Sequence, residues 1–539
     1  MVLKLFKTAM LSISNQLTWW CEGISKKDEF SLAGLTLSLL ILAIFWFVWE
    51  FVKPSKGMKS LPPGPHGLPI VGYLPFLGTN LHHTFTELAH RYGPIYKLWV
   101  GNKLYVVVSS PAVAKEVVRD HDTIFGNRDP PIAALAVTYG GLDIAWSSYG
   151  SYWRNMRKVF VREMLSNRSI EAGYNLRRDE VQKTVREIYT KIGTPIDIGD
   201  IGFLTQVNVT MSMLWGSTLD WEKTSNIKAE FREVVMKITE TFEKPNMSDF
   251  FPMLARFDVQ GVERNMKRLF QWVERILDAV INERMKSNTM NKEGALENEE
   301  KKDFLQILLQ LQEEEDTGKR INMTQIKALL MDIVVGGTDT TSTMVEFVMA
   351  EIINNPEVMK RVQEELADVV GKNNMVEESH LQKLLYMDAV VKETFRLHPP
   401  LPFLVPRCPS QSCIVGGYTI PKDSNVFLNV WAMHRDPQFW EDPLEFKPER
   451  FLNCNGEWDY SGNNFQYLPF GSGRRICAGI PLAERTLKYV LASFLHLFQW
   501  KLPEGEELDL SERFGIVIKK KTPLIAIPTP ILSNMDLYK

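Results

Sequence analysis

The sequence has no Cys-x-x-Cys pair and no His-x-x-x-His pair, so it lacks the ligand spacing of a structural zinc site. Its five cysteines, Cys21, Cys408, Cys413, Cys454 and Cys477, are too sparse and scattered for a disulfide framework and fit a reducing compartment. A Gly-x-Gly-x-x-Gly fingerprint is missing, which removes a built-in flavin or nicotinamide site. Neither sign of charge dominates: the net charge is −3, which argues against a general nucleic-acid binder. There is no internal repeat. What is present is 45% apolar residues, ample for a sizeable core. The polar run from Ser287 to Asp303 reads as a solvated loop between amphipathic helical patterns of one character, so residues 67–539 read as one large domain.

Ahead of that domain, Phe30 to Trp49 carries no charge and is long enough to cross a bilayer as a helix. Lys26 and Lys27 precede it and Lys53, Lys56 and Lys59 follow, a slight lean toward a cytosolic C-terminal side. Residues 1–29 form an N-terminal extension with Lys4, Lys7, no acid before Cys21 and several hydroxyls; a plastid or mitochondrial presequence is the alternative reading. Residues 50–66 are a linker ending in the stiff Leu61-Pro62-Pro63-Gly64-Pro65 hinge. Tyr96 to Val108 alternates around Gly101-Asn102, which predicts a β-hairpin. Asp129 to Asp143 reads as irregular and apolar. Asp249-Phe250-Phe251-Pro252-Met253 is an apolar turn that is either core or a segment dipping into a bilayer.

The stretch that organises the chain is Phe470-Gly471-Ser472-Gly473-Arg474-Arg475-Ile476-Cys477-Ala478-Gly479. Cys477 is a buried thiol, a nucleophile, or the only protein ligand of a metal that brings its other ligands along, and haem fits the third case. Pro481, Leu482, Thr486, Tyr489, Val490 and Phe494 predict a helix just downstream, whose N-terminal N–H groups favour thiolate. Gly473 and Gly479 allow close approach to a flat macrocycle, and Arg475 is placed to meet a propionate. Trp153 and Arg157 lie four apart and share a helix face.

A second odd stretch lies inside a long buried helical pattern running from Ile326 to Val348. Gly336 and Gly337 are poor helix formers, and Asp339, Thr340 and Thr341 add a carboxylate and hydroxyls. A hydroxyl bonded back to the preceding turn explains Thr340 alone. The whole cluster reads better as a groove for a diatomic ligand, with Thr340 organising water and Asp339 relaying protons. Glu393 and Arg396, three apart on a helical pattern, are a natural ion pair, and a weak motif taken alone.

Together with Pro448-Glu449-Arg450-Phe451, these stretches resemble the cytochrome P-450 family, most closely its plant microsomal group. The resemblance implies a mainly α fold with a small β region, behind an N-terminal transmembrane helix. It implies haem b (iron protoporphyrin IX) on Cys477, with Phe470, Gly473, Arg475, Gly479, Trp153, Arg157 and Arg407 around it. It implies that Thr340 and Asp339 serve oxygen activation, and that Glu393, Arg396 and Arg450 form a structural network under the haem loop. Substrate-contacting segments match Ile132, Leu135, Val137, Val334, Val335, Leu401, Phe403, Leu404, Val405, Ile516 and Val517, with Phe514 and Ile518 beside them; each is equally a core residue by composition. The pocket they make is greasy and suits a terpenoid, or a flat flavonoid or phenylpropanoid held by shape.

The reaction implied is insertion of one oxygen atom from dioxygen into an apolar small molecule, the other leaving as water. Its implied setting is the endoplasmic reticulum membrane with the catalytic domain cytosolic, the plastid envelope being the alternative. The implied partners are membrane lipid and an NADPH-dependent flavoprotein reductase, for which Arg154, Lys158, Arg485 and Lys488 offer a basic surface. A haem-thiolate isomerase or dehydratase and a non-catalytic haem-binding scaffold are the competing readings. Intact Asp339 and Thr340 weigh against both.

Overall fold

The computed structural model describes residues 61–216, 221–291, 303–313, 321–452 and 458–538, together with 36–39 and 41. The expected extension 1–29 and most of the anchor 30–49 and linker 50–66 lie outside these residues. Residues 36–39 and 41 are helical, with Leu37, Leu39 and Ile41 exposed. Among the described residues no helix is long and apolar enough to cross a membrane.

The principal helices are α1 (Leu81–Tyr92), α2 (Ile132–Val137), α3 (Ser151–Val159), α4 (Tyr174–Thr190), α5 (Ile198–Trp215), α6 (Trp221–Phe242), α7 (Val262–Asn291), α8 (Met323–Asn354), α9 (Pro356–Val370), α10 (Leu385–Leu397) and α11 (Ile480–Leu497). The sheets are small. In the first, β1 (Ile95–Val100) pairs antiparallel with β2 (Lys103–Val108) in the register Ile95 to Val108, and β2 pairs parallel with β3 (Asn425–Leu428). The turn of the hairpin is the expected Gly101-Asn102, with Gly101 at φ 57°, a left-handed value that suits glycine.

The core is organised on α8. A capping box starts it: the Asn322 side chain accepts from the Gln325 N–H at 2.9 Å, and the Gln325 side chain returns to the Asn322 N–H at 2.8 Å. The helix is buried nearly all round and packs on α5, α9, α10 and α11. Against α5 the approach is close at Gly202, where a Cβ would sit 3.4 Å from the Val345 side chain.

Two sequence expectations need correction. Asp129 to Asp143 is not wholly irregular, since it contains α2, six residues with no charged or hydroxyl side chain to reveal a period. The polar run from Ser287 is not a loop from its start: α7 continues to Asn291, and Asp303 is buried against Arg284. Residues 292–302 lie outside the description.

Candidate active site

The chain reaches Cys477 through a tight turn, Gly473–Arg475, and leaves it into α11, with Pro481 in the first turn as expected. The Cys477 N–H donates to the Phe470 carbonyl at 3.0 Å, and the Gly479 N–H points to the Cys477 sulfur at 3.3 Å. Cys477 keeps accessible surface although its surroundings are those of a buried group, so the sulfur faces open space within the protein. Burial pushes the free thiol up, and the N–H groups of Gly479 and Ile480 with the Arg157 charge only partly offset it. A bound cation would reverse that balance, because a coordinating thiol is deprotonated outright.

Gly473 has a packing reason of its own. It sits at φ 68°, and a Cβ there would lie 2.3 Å from the Val118 carbonyl oxygen. At the other end of the loop, Phe470 packs against Phe395 and Tyr460, each ring centroid at 5.0 Å.

Around the loop stand four enclosed arginines. Arg157 on α3 donates to the Ile476 carbonyl at 2.7 Å. Arg475 donates to the carbonyls of Gly126 at 2.7 Å, Ile144 at 3.0 Å and Ser147, and lies 4.5 Å over the Trp153 ring. Trp153 itself donates to the same Ile144 carbonyl at 3.0 Å. Arg407 donates to the Ser472 carbonyl at 2.7 Å and meets Asp122 at 3.4 Å. The fourth, Arg128, was not foreseen; it donates to the carbonyls of Val405 and Pro406 at 2.7 and 2.8 Å, while its Nε is buried with no partner.

Burial lowers the pKa of all four, and mutual repulsion adds to it at Arg128 and Arg475, the latter reaching about 10. Among the described residues, the one carboxylate within ion-pair distance of them is Asp122, which Arg474 also shares at 3.2 Å. So much enclosed positive charge calls for an anionic ligand. Two carboxylates on a flat group whose metal takes the Cys477 sulfur answer that call, so these residues fit haem.

On α8 the Thr340 hydroxyl donates to the Gly336 carbonyl at 2.7 Å, and Gln206 donates to the Gly337 carbonyl at 2.9 Å. A Cβ built at Gly336 or Gly337 meets nothing within 4 Å, so the glycine pair leaves a notch. Asp339, adjacent in sequence, faces elsewhere: its carboxylate pairs with Lys519 at 3.1 Å, and Lys519 also pairs with Glu243 at 2.7 Å. Burial pushes the Asp339 carboxyl up and Lys519 pulls it back in part. Asp339 lines a cleft of about 320 Å³ shared with Asp197, Asp200, Glu240 and Glu346, to which Thr340 and Cys477 do not contribute.

Glu393 and Arg396 on α10 are fully buried and bidentate, at 2.7 and 2.8 Å, and Arg450 joins Glu393 at 3.3 Å. Arg396 also donates to the carbonyls of His434, Pro443 and Glu445. Of the apolar set, Leu135, Val335 and Ile516 are exposed, while Val137, Val334, Phe403 and Val517 are buried. Ile132, Leu401, Leu404 and Val405 are intermediate. Leu404 adopts φ 53°, unusual for a branched side chain, and its Cδ1 lies 3.4 Å from where a Gly471 Cβ would stand.

The basic docking surface does not form as expected. Lys488 is enclosed by Asp388 and Glu484, and Arg485 pairs with Glu378 at 3.7 Å, whereas Arg154 and Lys158 are exposed.

Residues 62–527 match the family model described as cytochrome P450. The chain is 38% identical to a geraniol 8-hydroxylase of Catharanthus roseus, over 92% of this chain and 99% of that one. It is also 38% identical to a flavonoid 3'-monooxygenase of Crocosmia x crocosmiiflora, over 93% and 98%. A zebrafish cytochrome P450 structure with progesterone superposes with a TM-score of 0.70 at 27% identity, covering 84% of this chain and 99% of that one. By sequence and by fold, the chain belongs to the cytochrome P450 family.

Proposed function

We propose that the protein is a membrane-anchored monooxygenase that inserts one oxygen atom from dioxygen into an apolar specialised metabolite, a terpenoid. The observation that carries the chemistry is the accessible Cys477 in a loop around which Arg128, Arg157, Arg407 and Arg475 are enclosed. Cys477 would hold the iron of haem b, and the four arginines with Trp153 would surround its carboxylates. When bound, the haem supplies oxygen activation at a thiolate-ligated iron.

The chain's own residues do the rest. Gly336 and Gly337 leave room beside α8, and the exposed apolar side chains of Leu135, Val335 and Ile516 offer a substrate shape rather than hydrogen bonds. Asp339 holds a proton more readily than a surface aspartate, and Lys519 tethers its Oδ1 at the edge of a polar cleft where water can exchange it. Thr340 keeps its oxygen lone pairs free, because its hydrogen is committed to Gly336.

Membrane association is supported by Leu68, Ile70, Phe76, Trp99, Met253, Phe257 and Val259, all exposed. The hairpin and the 247–257 segment are joined by the Asn102 N–H to Phe250 carbonyl bond at 3.0 Å. That patch, with the apolar run 30–49, favours the endoplasmic reticulum with the catalytic domain cytosolic. Electrons would come from an NADPH-dependent flavoprotein reductase docking where Arg154 and Lys158 lie. A flavonoid ring system is the second substrate reading, favoured by the flavonoid 3'-monooxygenase at equal identity.

The test is reconstitution of the full chain with that reductase and isotopically labelled dioxygen, offering terpene alcohols and flavonoids side by side. The expected result is a labelled terpene product, and a carbon monoxide complex whose thiolate-type band disappears in Cys477→Ala. A band surviving in that variant removes the ligand assignment. Turnover without NADPH and dioxygen establishes the isomerase reading instead, and labelled product from flavonoids alone moves the substrate.

A further inference from the structure

Outside the residues already assigned, a buried cluster of titratable groups is centred on His398, the residue that follows α10. Its Nδ1 meets Glu512 at 2.6 Å and its Nε2 meets Glu351 of α8 at 2.8 Å. Phe347, one turn before Glu351, stacks on the imidazole at 4.4 Å and 8°. Glu512 is itself gripped from three further sides. His82 of α1 lies at 3.2 Å, in ion-pair range but without hydrogen-bond alignment, the Trp431 indole donates at 3.3 Å, and Arg435 stands at 3.9 Å.

What makes the cluster more than packing is its place in the chain. His398 opens the segment that carries Leu401, Leu404 and Val405, and Glu512 opens the one that carries Ile516 and Val517. The two segments are joined by a single backbone bond, Ile518 N–H to the Pro400 carbonyl at 2.8 Å. Ile518 packs with Phe347 and Trp431 in a small apolar cluster of its own.

We propose that His398 is a positioning residue for the substrate pocket, an imidazolium bolt fixing both wall segments to α8 through Glu351 and Glu512. This rests on the monooxygenase reading for the identity of the pocket, not for the bolt. A neutral imidazole has one N–H and satisfies one carboxylate; the imidazolium satisfies both. Burial pushes His398 down, but its hydrogen bonds to the two glutamates and their charges win, and it stays raised. The charged and titratable groups facing the cluster are Glu351 from α8, Glu512 from the C-terminal wall segment, His82 and His83 from α1, and Arg435 after Trp431. Lys520 lies near Glu351. With its pKa raised above that of a free imidazole, the bolt is complete below the ordinary imidazole range and is lost as pH rises through the folded-state value.

The test uses haem-loaded full chain and two spectral probes, bare imidazole, which reports the iron alone, and clotrimazole, which is bulky and apolar and also reports the walls. In His398→Gln and, separately, Glu512→Gln, imidazole affinity is expected to stay put while clotrimazole affinity falls about tenfold, the scale of one charge-assisted bond. In the parental protein the clotrimazole-to-imidazole ratio, corrected for protonation of the free azoles, is expected to fall as pH is raised above the ordinary imidazole range, and the profile to flatten in His398→Gln. An unchanged ratio in either folded variant, or the same pH profile in parental and variant, overturns the proposal. Should His398→Gln fail to load haem, Glu512→Gln and the parental pH profile decide. A parental protein that gives no imidazole shift defeats the haem reading instead. The bolt is then judged by amide exchange, expected to quicken at 399–405 and 513–518 in the variants and overturned by unchanged protection.

Discussion

Asp332 of α8 accepts the Ile144 N–H at 2.8 Å, while the carbonyl of that same residue accepts from both Trp153 and Arg475 at 3.0 Å each. One residue of an irregular segment thus connects the central helix to the arginine cluster. Replacing Asp332 by Ala strands the Ile144 N–H and is expected to cost about 1–3 kcal/mol in unfolding, with faster loss of bound haem. Asp332→Asn keeps an acceptor oxygen and should retain most of both. Equal losses in the two variants would show that the hydrogen bond is not the cause.

The neighbouring Asp143 gives a pH prediction. Burial pushes its carboxyl up to about 7, against opposing N–H groups led by Trp146 and the charge of Arg475, and Asp332 is raised in the same way. An acid whose folded pKa is raised stabilises the fold most when protonated. Its contribution is complete below the ordinary carboxyl range and is lost as pH climbs toward 7. The melting temperature of Asp143→Asn should therefore gain on that of the parental chain between about pH 5 and pH 8. A constant gap across that range counts against the shift.

Glu393 is expected to be the least tolerant carboxylate of the described chain. Glu393→Gln leaves the fully buried Arg396 without its counter-charge, a loss of about 3–5 kcal/mol. The exposed pair Lys237–Glu233 is the control, and Glu233→Gln should change stability by about 1 kcal/mol or less. Denaturant unfolding of both variants settles the comparison.

Gly336→Ala separates stability from function. A Cβ there meets nothing within 4 Å, and alanine is the better helix former, so unfolding should cost about 0.5–1 kcal/mol more. The same methyl occupies the notch, and affinity for carbon monoxide should drop. A variant that gains stability and binds carbon monoxide as before would show that the notch is not where the ligand lies.

For Thr340→Ala, haem loading should be intact while NADPH consumption is uncoupled from product and yields peroxide. Product at the parental ratio to NADPH removes the role.

Much of this was legible from spacing. The period of α8, the hairpin at Gly101-Asn102 and the helix after Cys477 follow from apolar repeats and turn residues, and the structure reproduces them. The partnership of Glu393 with Arg450 came only from family resemblance, because 57 residues separate them and no local pattern joins them. Arg128 was invisible: a lone arginine before Asp129-Pro130-Pro131 has no periodicity, and its meaning lies in neighbours brought from Val405 and Pro406. Lys488 misled for the opposite reason, since a lysine in a helix reads as solvated until Asp388 arrives from another helix to hold it. The His398 cluster assembles five separate stretches, each unremarkable on its own.

The bond from Thr340 to Gly336 has one more consequence. A hydroxyl that has already given its hydrogen to the turn behind it has only lone pairs to show the notch, so a water resting there must turn a hydrogen toward Thr340. That orients the water's own oxygen outward, ready to receive the next hydrogen in line. In the proposed relay the direction of the traffic would thus be set by the residue four places upstream, whose missing side chain leaves the passage clear.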